Sequence, residues 1–346
     1  MHMADALVSP AVGGAMVAVS GAAIAWTIWK DRKEYKLDDR KVPVMGVMSA
    51  FVFAAQMINF TIPGTGSSGH IGGGILLAAL LGGGPALLCL TAVLVIQCLL
   101  FADGGFLALG CNVFNMGVIP CLLAYPLIYK PLTRKAVSTK SITLASVVAV
   151  VAGLQLGAFS VVLETKLSGI TLLPFGTFLL LMQPIHLAIG VVEGLITAAV
   201  LIYVAKARPE LLESARTAQP MDPKVYLKRV LATLGILALL TGGGLSLLAS
   251  SYPDGLEWSI DGVLKQGEPA AAMAETGEPR GIEAKGGAYD VFAGIQQATS
   301  IMPDYALKDS DSAAGTSVAG VVGTVATLLV ALGAGALITK TRRKST

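Results

Sequence analysis

An all-α polytopic membrane protein of about nine transmembrane helices is the fold this sequence predicts, and three observations predict it. Apolar residues make up 54% of the 346-residue chain and charged residues only 14%, against about a quarter charged in soluble domains. Mean hydropathy is +0.72. The apolar residues also gather into runs of about 20, the length that spans a hydrocarbon core, with charged or Gly/Pro-rich breaks between them. A net charge of +3 is too small to point to nucleic acid. The basic residues sit at the ends of apolar runs, where they report topology.

The candidate spans fall near 11–29, 43–61, 71–83, 85–102, 107–128, 142–163, 179–204, 226–249 and 315–338. The third, GGGILLAALLGGG, is short for a crossing and suits a re-entrant segment or a helix packed against protein. Counting it as a crossing keeps the basic segments 30–41, 130–140, 206–229 and 340–344 on one side, which the positive-inside rule makes cytoplasmic. The chain is then a multi-pass protein of the cell inner membrane, surrounded by lipid, with its N-terminus external and its C-terminus cytoplasmic. Asp5 and the lack of a basic segment before the first span argue against a cleaved signal peptide, so Met1 is expected to remain. The cysteines, Cys89, Cys98, Cys111 and Cys121, lie inside apolar runs with no C-x-x-C spacing and are read as small buried packing groups.

Histidine is scarce, with three in the chain. His2 stands behind Met1, and His70 lies in TIPGTGSSGHIGGG, a glycine-rich loop on the same external side, with nothing apolar to bury an imidazole. The Met1 amine, a deprotonated His2 backbone nitrogen and His2 Nδ1 can close fused five- and six-membered chelate rings. Three nitrogens in one plane leave a fourth corner, and His70 is available to fill it. An all-nitrogen square-planar site selects Ni(II) or Cu(II) over Zn(II), which prefers a tetrahedron. His186 and Glu193 share one helical face about two turns apart. A membrane carboxylate needs partners, so His186 and Glu193, with Asn112, Asn115, Gln155 and Gln183, are expected to form a polar surround that supports the ligands.

Four separated segments carry a family resemblance: MHMADALVSP, the loop around His70, DGGFLALGCNVFNMG (103–117) and HLAIGVVEGLIT (186–197). Together they resemble the CbiM/NikM substrate-binding subunits of cobalt and nickel energy-coupling-factor (ECF) transporters. YPDGLEWS (252–259) resembles the signature of the two-helix PDGLE accessory subunit, so the chain looks like a fusion of the two. The resemblance implies a seven-helix metal-binding domain over 1–205, a cytoplasmic connector over 206–225 and a two-helix accessory domain over 226–346 with an external loop over 250–314. In nickel-type members the metal is held by the terminal amine, by the backbone nitrogen and side chain of the second residue, and by the loop histidine, which here are Met1, His2 and His70. Ni(II) is then the transported substrate, with Co(II) the alternative. Met3 stands where relatives often have isoleucine and is read as packing.

Acids outnumber bases between 252 and 311, which suggests a solvated, net-negative loop, with the PDGLE element itself in a docking role. No G-x-x-x-x-G-K-[ST] occurs, so the chain has no ATPase motif of its own. The family supplies that energy through two ATPase subunits and a transmembrane coupling subunit. An ion-coupled secondary transporter would show repeats and several mid-membrane ionisable groups, and only Glu193 fits. An enzyme is disfavoured by the absence of a paired nucleophile and base, or of H-E-x-x-H.

Overall fold

The computed structural model describes residues 1–33, 39–134, 138–217, 219, 227–266, 286–307 and 313–343. Much of the acidic stretch between 267 and 285, parts of the basic segments and the last three residues lie outside the described residues. The chain runs through α1 (Pro10–Lys33), α2 (Lys41–Gln56), a hairpin of β1 (Phe60–Ile62) and β2 (Ser67–Gly69), α3 (Gly74–Leu81) and α4 (Gly83–Phe101). It continues through α5 (Leu109–Leu132), α6 (Thr139–Ser168), α7 (Phe175–Ala207), α8 (Pro209–Thr217), α9 (Lys228–Gly243), α10 (Gly255–Gln266), α11 (Ala288–Thr299) and α12 (Ala313–Arg343).

The protein is an all-α polytopic membrane protein. Six described helices, α1, α4, α5, α6, α7 and α12, are long and apolar enough to cross a membrane. Leu127, Leu167, Leu180 and Leu337 point outward from them, each more than half exposed. That inverts the pattern of a soluble protein and matches a lipid environment. The helices start and stop where local chemistry says they should. Ser138 and Ser141 form a reciprocal capping box at the start of α6, and Gly169 ends that helix in the left-handed region at φ 63°. In α5 the winding widens to a π-helix from Phe114, with Pro120 and Pro126 inside it. Proline has no N–H to give the α-helical ladder and crowds the preceding turn.

The short third run is an eight-residue helix, α3, with every residue buried. At 1.5 Å per residue it covers about 12 Å, well short of a bilayer core. Its start lies beside Glu193 on α7 through Gly72 and Gly73, and its body packs against α8 in the connector. The glycine loop and this half-length helix together lead the chain from the terminus end of the bundle toward the connector end. Short irregular backbone of this kind is tolerated in a membrane only when protein encloses it.

The accessory pair α9 and α12 packs on α2, and α12 also reaches α4. Gly323 of α12 sits where any side chain would strike Phe53 and Phe101, and Gly46 of α2 sits likewise against Leu332. Small residues let membrane helices approach closely where no hydrophobic effect drives them together. The segment before α1 does not trail into solvent. Met1, Met3, Leu7 and Val8 are all buried in the main core.

Candidate metal centre

The buried N-terminus is held by backbone and side-chain hydrogen bonds to the segment after α4 and the start of α5. Met3 N–H donates to Asn112 Oδ1 at 2.7 Å, and Asn112 Nδ2 returns a bond to the Met3 carbonyl at 3.2 Å. Gly105 N–H also donates to the Met3 carbonyl, at 2.8 Å, and Asp5 Oδ1 accepts from Ala108 N–H at 2.9 Å. Gly104 adopts φ 80°, and a Cβ on Gly105 would occupy the space of Asp5. The two glycines of DGGF are therefore what lets the terminus thread in. Asn112 thus holds Met3 through both ends of its side-chain amide.

This threading brings the Met1 amine to 3.2 Å from His70 Nε2 and 2.6 Å from Asp254 Oδ2. His70 Nδ1 lies 3.0 Å from the Ile71 carbonyl. A carbonyl only accepts, so Nδ1 carries the proton and Nε2 presents its lone pair to the amine. Burial, and then the nearby Met1 ammonium, push the His70 pKa down from 6.5 to about 3. The ring is neutral at pH 7. Burial also works to raise the Asp254 carboxyl, but the Met1 ammonium and His70 hold it below the usual carboxylate range. Burial and the Asp254 charge push Glu257 up to about 7.

His2 stacks on His70 with ring centroids 5.2 Å apart and planes 20° apart. Its tautomer follows from a chain of amides. Gln56 Nε2 donates to the Gly72 carbonyl at 2.9 Å, so Gln56 Oε1 is the acceptor for Gln97 Nε2 at 2.8 Å. Gln97 then has only Oε1 left for His2 Nε2, 3.2 Å away. His2 Nε2 must be the protonated nitrogen. Its other nitrogen, Nδ1, lies 3.3 Å from Asp103 Oδ1; burial lowers the His2 pKa while the Asp103 charge works against that. Asp103 is fixed in turn by Tyr305, whose hydroxyl donates to Oδ2 at 2.5 Å.

The accessory domain reaches the same place. Asp254 caps α10 through Oδ1, which accepts from Leu256 and Glu257 N–H at 2.8 and 3.0 Å, and turns Oδ2 to the Met1 amine. The PDGLE turn sits on the His70 hairpin. Ser68 N–H donates to the Pro253 carbonyl and Ser68 Oγ to that of Tyr252, while Trp258 Nε1 donates to the Thr65 carbonyl. From α11, Gln296 Nε2 donates to the Gly104 carbonyl at 2.8 Å.

Of the residues singled out from the sequence, Met1, His2 and His70 come together. His186 and Glu193 line the cavity that Met1 and His70 also line, with His186 Nδ1 donating to the Met182 carbonyl and Glu193 Oε1 accepting from Gly73 N–H. Asn115 lines it too and donates Nδ2 to Glu164 Oε2. Gln155 and Gln183 bond each other's backbone carbonyls across α6 and α7. Met3 is fully buried, its sulfur 3.8 Å from Asn115 Nδ2, and the cysteines are buried and free. Among the described residues no group of three His, Cys, Asp or Glu side chains is placed to hold an ion. Gln56, Gln97, Asp103, Asp254 and Tyr305 were missed. The two glutamines were visible as isolated polar residues in apolar runs.

The family profile described as "Cobalt uptake substrate-specific transmembrane region" matches residues 2–211, and the PDGLE domain profile matches 228–340. A protein of Archaeoglobus fulgidus named as a fused nickel transport protein, NikMN, is 33% identical over 96% of this chain and 97% of its own. The fused nickel transport protein NikMN of Rhodobacter capsulatus is 28% identical over 88% of each chain. A crystal structure titled as a truncated transition metal transporter covers 60% of this chain and 99% of its own at 32% identity, with a TM-score of 0.52. The chain belongs to the CbiM/NikM family of cobalt and nickel transport proteins, fused to a NikN-like PDGLE domain.

Proposed function

We propose that the protein is the substrate-capture subunit of an ECF-type importer for a transition-metal cation, Ni(II) first and Co(II) as the alternative. In this reading the cation is cargo, held by the Met1 amine, the His2 backbone nitrogen, His2 Nδ1 and His70 Nε2. The observation that carries it is the meeting of an amino terminus with the His70 imidazole at 3.2 Å, beside the stacked His2 ring whose Nδ1 faces the Asp103 carboxylate at 3.3 Å. Cargo binding exchanges the Asp103 contact of Nδ1 for the metal. The all-nitrogen, planar donor set favours Ni(II) on chemical grounds, while the names of the two fused relatives point to nickel and the family profile to cobalt.

The domain division is read as 1–205 for capture, 206–225 as connector and 226–346 as accessory, in the inner membrane with the terminus external and the last helix ending in the cytoplasm. Asp254 and Asp103 place two negative charges beside the cargo position, which draws cations in and stabilises the bound charge. Release inward from such a site needs energy, and the chain has no phosphate-binding motif with which to take it from ATP. Partner ATPase and coupling subunits supply it in this reading, and the protein is not itself an enzyme.

Uptake of radiolabelled Ni(II) by cells expressing this chain alone, or with its partner ATPase and coupling subunits, tests the reading. Expected is slow uptake alone and rapid uptake with the partners, abolished by inactivating the ATPases. Rapid uptake by the chain alone, driven by an ion gradient, would favour the secondary-transporter reading.

A further inference from the structure

The cavity beneath the terminus is about 30 Å³, room for one ion with a water or two. It is bounded at one end by Met1, His70 and Asp254 and elsewhere by Asn115, His186 and Glu193. These last three are each no more than 2% exposed. Glu193 uses Oε1 for Gly73 N–H, and its Oε2 has no partner among the described residues. Asn115 commits its NH₂ to Glu164, and its Oδ1 likewise has none. His186 gives Nδ1–H to the Met182 carbonyl at 2.8 Å, so Nε2 keeps its lone pair. The set offers a carboxylate oxygen, an amide oxygen and an imidazole nitrogen, all acceptors.

Buried acceptors without donors are costly, and two unpartnered buried oxygens, one of them on a carboxylate, beside an imidazole lone pair suit a cation better than an anion. Glu193 also holds the start of α3 through Gly73, so a charge arriving at Oε2 is felt by the helix that leads toward the connector.

We propose that His186, Glu193 and Asn115 form a second, weaker binding position for the divalent cargo, which the cation occupies after leaving the nitrogen ligands at the terminus. The proposal takes from the functional reading above only that the cargo is a divalent transition metal. Oxygen-rich, with one imidazole, the position binds Ni(II) and Co(II) less selectively than the terminal nitrogens do.

The test is titration of the full-length purified chain with Ni(II) and with Co(II), counting bound equivalents. Expected are one tight and one weak equivalent. Glu193→Gln, which keeps an oxygen for Gly73 N–H, retains the tight one and loses the weak one. Acetylation of the amine retains the weak one only. If Glu193→Gln lacks the tight equivalent as well and so fails to fold, His186→Ala decides, because it leaves Glu193 and its Gly73 bond in place, and loss or weakening of the weak equivalent is expected. A single equivalent at every metal concentration, or a weak equivalent unchanged in the variant that decides, would overturn the second position and leave the terminal site standing. A tight equivalent that survives acetylation would instead overturn the terminal ligand set.

Discussion

Acetylating the Met1 amine lowers the affinity for Ni(II) by more than about 100-fold. The magnitude follows because a change in groups that merely support a ligand already costs about 10–100-fold, and acetylation removes a ligand outright. It also leaves the partly buried Asp254 without the ammonium it meets at 2.6 Å. The two effects separate in His70→Ala, which keeps the ion pair and opens one corner of the metal to water. Adding one residue before Met1 is subtler, because every side chain survives. The amine leaves the five-membered ring and His2 becomes third, a register that still chelates through four nitrogens but has no corner for His70. Binding then no longer engages His70. Affinities of the acetylated, His70→Ala and extended chains, read by competition with a coloured chelator, check the ranking.

Affinity for the metal rises by about 100-fold for each pH unit between pH 6 and 7, because binding releases about two protons. One comes from the Met1 ammonium and the other from the His2 amide. His70 does not contribute, since burial holds it near 3, and burial lowers His2 in the same direction. The sign follows from the count: the loaded site binds fewer protons, so acid favours the empty form and affinity falls as pH falls. Exchange of two protons for a dication leaves the net charge facing Asp254 unchanged, so the carboxylate neutralises the empty and the loaded site alike. Calorimetry in buffers of different ionisation enthalpy counts the protons directly. Release of one proton or none would mean that the His2 amide stays protonated.

The all-α membrane fold was legible because apolar runs of membrane length leave few other folds, and the meeting of Met1, His2 and His70 was legible because the three have distinctive chemistry near chain features that stand out. The polar network was not. Gln56 and Gln97 each look incidental within an apolar run, and only their spacing across α2 and α4 shows that they relay the Gly72 carbonyl to His2. Asp254 lies 253 residues from the amine it binds, a separation no local pattern bridges. The PDGLE turn could be read as a docking element, but its carboxylate inside the site depends on how the accessory helices pack on α2. The third run is an eight-residue helix because flanking glycines end it early, and enclosure by α4, α5 and α8 replaces the length it lacks.

The central claim is that four nitrogens in a plane hold the cargo, and the magnetism and visible spectrum of the Ni(II)-loaded chain test it most directly. A square-planar, all-nitrogen site makes the d⁸ ion diamagnetic, with a single ligand-field band in the visible and a spectrum that is lost when the amine is acetylated. A paramagnetic ion with the weak bands of six-fold oxygen and nitrogen coordination, unchanged by acetylation, would contradict the account.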